Sequence, residues 1–168
     1  MKQAIALAFI LLMTITCVVA KERASKHTTV KNGLMLVTYG QPSKKGRVIF
    51  ADKGLVPYGE VWRTGADEAT EITVNKGSMF AGRQLKEGTY TLFTIPGKDK
   101  WTIILNSKLG QWGAYDYEKY KEQNVIEGEA TVEHLDKPVE TFTIELLQDG
   151  MRMSWDQTSV FIPVKPFN

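Results

Sequence analysis

The sequence predicts an all-β fold, an antiparallel β-sandwich of jelly-roll or immunoglobulin-like type with about nine or ten strands. From about residue 30 onwards, short apolar or alternating runs are separated by turn residues, which is typical of sandwiches and barrels. Only the segment 107–124 is predicted to interrupt this pattern, with at most one short helix near 115–123. The chain has no internal repeat or linker and the length of one domain.

The first twenty residues predict a secretory signal peptide. The stretch "MKQAIALAFILLMTITCVVA" begins with one lysine, continues as an apolar run and ends in small residues. A membrane span is disfavoured because a span needs about 20 apolar residues. Cys17 offers a lipid attachment site, but the preceding "TIT" disfavours a lipoprotein. We expect an exported protein, periplasmic or extracellular, with a single β-sandwich domain over 21–168 and no transmembrane segment in it.

The composition of this domain disfavours several kinds of functional site. Cys17 is the only cysteine, so removal of the leader leaves no disulfide and no thiolate site. The formal net charge of the chain is +2, which gives no long-range field for nucleic acid. His27 and His134 are too scattered for a transition metal, and no cofactor is predicted. The basic cluster "KKGR" at 44–47 is interpreted as a solvated turn.

The early strands follow from their apolar patterns. The runs 34–39 and 47–50 flank the turn-rich "GQPSKKG" and predict a hairpin. The run "TEITV" at 70–74 predicts a strand that ends at the turn "NKG". The runs 88–96 and 101–106 are apolar on both faces, which predicts a central pair of strands.

The late strands alternate more regularly. In 140–147 the apolar residues share one face and the polar residues the other, as in a half-buried strand. The run 151–155 follows a turn and places its methionines and tryptophan on one face. The last run, 158–164, contains Pro163, which predicts an edge strand because proline has no N–H for the ladder.

Three long segments resemble one known family. They are "GLVPYGEVWRTGADEAT", "LKEGTYTLFTIPGKDKWTIILN" and "QWGAYDY", in this order along the chain. The chain resembles the secreted bacterial proteins of domain-of-unknown-function family number 2911, from about Thr29 to Val164. The resemblance implies no established activity. It also implies that asparagine often stands at the position of Asp67, which disfavours a mechanism that needs an ionised carboxylate there.

The stretch "VWRTGADEAT" at 61–70 is the most informative candidate site. In the structural interpretation, Arg63 forms an ion pair with Asp67 or Glu68 and pins a bend at Gly65, where glycine gives the backbone freedom. In a catalytic interpretation, carboxylates must converge. Asp67 and Glu68 would point to opposite faces of an extended chain, whereas Glu60 and Glu68 could meet across the bend.

A ligand-binding interpretation is favoured over both. Aromatic faces interleaved with a few polar groups are typical of sites for sugars and small molecules. We expect the loops around 62 and 112 to meet at one end of the sandwich, while Trp101 and Trp155 face the core. The candidate ligand-binding residues are Tyr58, Glu60, Trp62, Arg63, Asp67, Glu68, Gln111, Trp112, Tyr115 and Tyr117.

The sequence therefore predicts a non-enzymatic binding module for a small molecule, glycan or peptide. One alternative is a carbohydrate-active hydrolase or lyase that uses Glu60, Asp67 or Glu68, and another is a purely structural envelope domain. No residue is assigned as catalytic and none as a metal ligand. Calcium binding is left open, because Asp67, Glu68 and Asp116 could supply oxygen ligands. The oligomeric state also stays open.

Overall fold

The computed structural model describes residues 21–167 and consists mostly of β-strands. The predicted all-β class is confirmed. The predicted signal peptide and the disfavoured lipid attachment site at Cys17 fall on residues 1–20, outside the described part, so neither is tested. The elements are β1 (Lys26–Lys31), β2 (Met35–Gln41), β3 (Phe50–Ala51), β4 (Val56–Pro57), β5 (Thr70–Val74), β6 (Ser78–Phe80), β7 (Arg83–Leu85), β8 (Gly88–Ile95), β9 (Lys100–Asn106), α1 (Tyr117–Tyr120), a 3-10 turn (Lys121–Gln123), β10 (Asn124–Leu146) and β11 (Gly150–Pro166).

Nine strands form one antiparallel sheet in the order β1-β2-β5-β8-β9-β10-β11-β6-β7. The predicted central pair is confirmed, since β8 and β9 pair with each other inside this order. Their two buried faces serve two clusters: Leu92 packs in the main core, whereas Phe93 packs with Ile104 and Tyr117 on the other side. This double burial explains why both strands are apolar on both faces.

The sheet folds over on itself through β10 and β11, as a sandwich requires. Their pairing register shifts on either side of Val139, and Asp156 in β11 has a left-handed φ of 52°. The Val164 N–H donates to the Asp149 carbonyl at 2.9 Å, so the end of β11 returns beside its own start. Such irregularities bend strands and let them pass between layers.

The second half of β10 is hydrogen-bonded to the end of β2 and to the residue that follows it. The Phe142 N–H donates to the Pro42 carbonyl at 2.9 Å, and the Ile144 N–H donates to the Tyr39 hydroxyl at 2.9 Å. Between the layers lies a cluster of six aromatic rings, in which Trp62 stacks on Trp155 with ring centroids 5.9 Å apart and planes 18° apart. The cluster members are Tyr39, Phe50, Trp62, Trp101, Phe142 and Trp155. The core positions predicted for Trp101 and Trp155 are confirmed.

Two strand predictions were wrong. The runs 34–39 and 47–50 do not form a hairpin, because β2 pairs with β1 and β5 while β3 pairs only with β4, in parallel. Residues 42–69 are instead a second long excursion. Pro163 does not lie on an edge strand, since β11 runs between β10 and β6. The sheet accommodates Pro163 through its carbonyl, which accepts the Ala81 N–H at 3.1 Å.

The predicted helix in the segment 107–124 is confirmed, as the single turn α1 followed by the 3-10 turn. In the stretch from residue 21 to residue 167, no helix has the length and apolar character needed to cross a membrane.

Candidate functional site

The loop that follows Val61 is held to the sheet by backbone hydrogen bonds. The Trp62 N–H donates to the Thr94 carbonyl at 2.7 Å, and the Thr94 N–H donates back to the Trp62 carbonyl at 3.0 Å. The Thr70 N–H donates to the Arg63 carbonyl at 3.1 Å, which closes the loop at its other end. The side chain of Arg63 therefore projects from a loop whose two ends are fixed.

The bend in this loop depends on two residues that are not glycine. Thr64 has a φ of 55° and Asp67 a φ of 62°, both in the left-handed region. This conformation is unfavourable for a β-branched residue such as threonine, and strained residues of this kind concentrate at functional sites. Gly65 was expected to supply the backbone freedom, and that was wrong. Its role is close packing, because a Cβ there would lie 3.0 Å from the Gly40 carbonyl oxygen.

Residues 21–25, here called the N-terminal strap, bind the two acids of the loop. The N–H groups of Ala24 and Ser25 each donate to one oxygen of the Asp67 carboxylate at 3.0 Å. Arg23 Nε donates to both oxygens of Glu68, at 2.8 and 3.0 Å. The predicted ion pair of Arg63 with Asp67 or Glu68 was therefore wrong, because the strap occupies both carboxylates.

These contacts shift the pKa values of both acids downward. Burial of Asp67 favours its neutral form, but the N–H groups of Ala24 and Ser25 together with the His27 imidazole outweigh burial and lower its pKa. The hydrogen bond from Arg23 is the main cause of the lowered pKa of Glu68, and burial opposes it only in part. Both carboxylates are thus stabilised as anions while the strap is bound.

Both acids also approach one imidazole. His27 Nε2 lies 3.3 Å from an oxygen of Asp67 and 3.3 Å from an oxygen of Glu68. These acids were expected to point to opposite faces only of an extended chain, and the left-handed backbone at Asp67 breaks the extended geometry. Glu60 is exposed and makes no side-chain hydrogen bond or ion pair within residues 21–167. Hydrogen bonds or ion pairs thus connect Asp67 and Glu68 to His27, but none connects Glu60 to Glu68.

The two candidate loops meet, as expected. Glu68 and Trp112 form an isolated antiparallel bridge, and the Gly113 N–H donates to the Asp67 carbonyl at 2.9 Å. The Ala69 N–H donates to the carbonyl of Gln111 at 2.9 Å. These main-chain bonds hold Trp112 beside the loop that carries Arg63.

The aromatic candidates fall into two groups. Trp112 is half-buried and Tyr115 is 78% exposed, so both present rings at the surface. Trp62 and Tyr117 are only 7% and 3% exposed and pack in the two core clusters, so neither offers an open face for stacking. Tyr58 is half-buried in the excursion 42–69. Burial thus excludes Trp62 and Tyr117 from the predicted aromatic site and leaves Tyr58, Trp112 and Tyr115.

A cavity of about 670 Å³ lies beside the strap and Arg63. Its walls include Ala24 and Ser25 of the strap, together with Trp62 and Trp155. Arg63 Nε is buried and has no hydrogen-bond partner, and the Arg63 side chain forms no ion pair with any residue from 21 to 167. The cationic side chains of the wall are Lys26, Lys45, Arg47 and Arg63.

A family profile described as "Protein of unknown function (DUF2911)" matches residues 21–164. The chain belongs to the DUF2911 family. The resemblance inferred from the sequence is thereby confirmed. Searches of curated proteins and of solved structures give no match. The DUF2911 description assigns no activity.

In this DUF2911 chain, sequence reasoning missed most of the cavity wall. The cluster "KKGR" forms a turn, in which the Arg47 N–H donates to the Lys44 carbonyl at 3.0 Å, but Lys45 and Arg47 also line the cavity. Its basic character was the one signal that pointed to them. Lys26 gave no comparable signal. Within residues 21–167, no three His, Cys, Asp or Glu side chains are grouped as a metal site requires.

Proposed function

We propose that the protein is a non-enzymatic binding module that holds a small anionic molecule in the cavity beside Arg63. The ligand carries a carboxylate or a phosphate group, which an acidic sugar, a short acidic peptide or a small phosphate ester provides. The observation that carries the proposal is the buried Arg63 Nε without a partner. The proposal includes export of the protein, which the pattern of residues 1–20 supports.

The size and charge of the cavity support this ligand class. Its volume of about 670 Å³ is within the range of roughly 300–1,000 Å³ that small-molecule sites occupy. Four of its charged side chains are cationic, and the single acid, Asp67, already accepts hydrogen bonds from the strap. The field inside the cavity is therefore positive, and a low-dielectric wall strengthens it.

The geometry of Arg63 supports recognition of a planar or branched anion. A guanidinium presents its N–H groups as a fork that matches two oxygens of a carboxylate or phosphate. A buried donor without an acceptor costs about 1–3 kcal/mol, and an anionic ligand would remove that cost. The strained Thr64 and the paired backbone of Trp62 fix the loop on both sides of Arg63.

Hydrolytic use of Asp67 or Glu68 is the less supported alternative. Both carboxylates accept charge-assisted or main-chain hydrogen bonds from the strap. Their lowered pKa values also disfavour either as a general acid near neutral pH. A binding role needs neither group to exchange protons.

The test is calorimetric titration of the protein with glucuronate, citrate, inorganic phosphate and glucose 6-phosphate, with glucose as the neutral control. At least one anion should bind, and Arg63→Met should weaken it about 10- to 100-fold, because a hydrogen bond to a charged group contributes about 1.5–3 kcal/mol. The matched control is Arg83→Met on β7, which removes an exposed arginine outside the cavity. Circular dichroism of both variants checks the fold.

The ranking of the anions distinguishes carboxylate from phosphate. The proposal fails if no anion binds more tightly than glucose, or if folded Arg63→Met protein binds the anions as the unmodified protein does.

A further inference from the structure

We infer that Trp112 and Tyr115 form a second binding site, which accepts an alkylammonium group and is occupied in the free protein by Lys21. Lys21 Nζ lies 4.8 Å from the centroid of the Trp112 ring and 5.5 Å from that of Tyr115. Both distances are within the roughly 6 Å at which an aromatic face attracts a cation. The two rings hold one ammonium group between them.

The backbone fixes the positions of these rings. Trp112 is bridged to Glu68, and the next N–H, that of Gly113, is bound to the Asp67 carbonyl. Gly113 has a φ of 67°, and a Cβ at this position would lie 2.7 Å from Tyr115 Cε2. The Tyr115 ring therefore packs directly on the Gly113 backbone. A preorganised pair of rings does not have to be assembled by its ligand.

Lys21 is a replaceable occupant because the strap does not depend on it. The strap is anchored by the bidentate contact of Arg23 with Glu68 and by the two N–H groups on Asp67. Lys21 is exposed and forms no ion pair within the described residues. Removing its side chain opens the rings and leaves these anchors in place. A free ammonium group must compete with Lys21 in the unmodified protein.

The aromatic site is spatially separate from the proposed anion site. Neither Trp112 nor Tyr115 lines the cavity beside Arg63. The ammonium group can belong to a small molecule or to a lysine side chain. Both carry a positive charge with attached methylene or methyl groups, which aromatic faces recognise. Failure of either proposal leaves the other standing.

The test is titration with choline, with N-acetyl-lysinamide and with 3,3-dimethylbutan-1-ol, a neutral isostere of choline. The indole N–H resonances report binding, since Trp112 alone among the four tryptophans is not buried. Lys21→Ala should bind choline or N-acetyl-lysinamide at least three-fold more tightly than the unmodified protein and move the Trp112 resonance. The matched control is Lys31→Ala, which removes an exposed lysine at the end of β1.

Two further variants identify the rings. Each variant is combined with Lys21→Ala: Trp112→Leu in one and Tyr115→Leu in the other. Both should abolish or strongly weaken the binding. Because Tyr115 is exposed, Tyr115→Leu is not expected to unfold the protein. Tighter binding of choline would indicate a small-molecule ligand, and tighter binding of N-acetyl-lysinamide would indicate a lysine side chain. The inference is overturned if the neutral alcohol moves the Trp112 resonance as the ammonium probes do, or if Lys21→Ala and Lys31→Ala bind them alike.

Discussion

Asp67 occupies its position for reasons of backbone geometry. Its φ of 62° lies in the left-handed region, which aspartate and asparagine tolerate better than most residues. Its carboxylate accepts the N–H groups of Ala24 and Ser25 and approaches His27. A hydrogen-bonding anchor therefore accounts for this acid without assigning it a proton transfer.

Substitutions at Asp67 should separate the contribution of its left-handed backbone from that of its carboxylate hydrogen bonds. Asp67→Asn keeps the favourable φ and one acceptor and should cost about 1 kcal/mol of unfolding free energy. Asp67→Ala loses both hydrogen bonds and adds left-handed strain, and should cost about 2–4 kcal/mol. Asp67→Gly should fall between them because glycine relieves the strain. Urea unfolding measures all three, with the exposed Asp52→Ala as a control expected within about 0.5 kcal/mol. Equal stability of the Ala and Asn variants would contradict the anchor.

At the scale of elements, β2 and the loop 62–69, here called the Arg63 loop, are packed backbone to backbone. A Cβ on Gly40 in β2 would overlap the Ala66 carbonyl of the loop, so the contact exists only because residue 40 has no side chain. Glycine here is required by close approach, since its φ is not in the left-handed region.

Gly40→Ala should therefore destabilise the protein by at least about 1–3 kcal/mol, the range for overpacking a close contact. The matched control is Gly33→Ala, where a Cβ would have no heavy atom within 4 Å. Its effect should be near zero or slightly stabilising, because alanine reduces the entropy of the unfolded chain. Thermal unfolding of both variants checks this. Similar transition temperatures for the two variants would show that the loop can move away from β2.

The bounds of three strands could be predicted from the sequence. β5 occupies the predicted range 70–74, and β8 and β9 begin and end within one residue of their predicted bounds. The hairpin over 34–50 failed because the chain after β2 pairs elsewhere, for example Ser43 with Thr141 of β10. Apolar periodicity identifies a strand, but it does not identify a partner about a hundred residues away.

The same limit applies to the candidate site. Arg63 and Trp112 stood out because their residue types are informative. Ala24 and Ser25 did not, because they act through main-chain N–H groups that every residue except proline has. Trp62 was misplaced at the surface because a tryptophan in a loop segment carries no signal of which way the loop turns.

At the scale of the whole molecule, the strap brings together two other parts of the chain that are distant from it in sequence. The strap contacts the Arg63 loop through Asp67 and Glu68, and it contacts the segment 111–115 through Lys21. It also forms part of the wall of the cavity. Release of the strap would therefore change both proposed sites together.

Acid should release the strap before it unfolds the domain. The pKa values of Asp67 and Glu68 are lowered in the folded protein, so their contribution to strap binding is present above their ordinary values of 3.8 and 4.5. It is lost as the pH falls below those values through the folded pKa values. Hydrogen exchange should show the Ala24 and Ser25 amides losing protection in this acidic range, while amides of β8 and β9 remain protected.

In the Asp67→Asn variant the loss of protection should be weaker, because one of the two titrating groups is removed. Simultaneous loss of protection in the strap and in β9 would mean that the strap is not a separate unit.

Main-chain recognition of the strap also determines which mutations can accumulate there. Positions 24 and 25 are held through N–H groups, so a change of side chain there leaves the contact with Asp67 in place. Proline alone would break the contact, since it has no N–H to donate. The contact with Asp67 therefore constrains the backbone at positions 24 and 25 and not the identity of their residues, apart from proline.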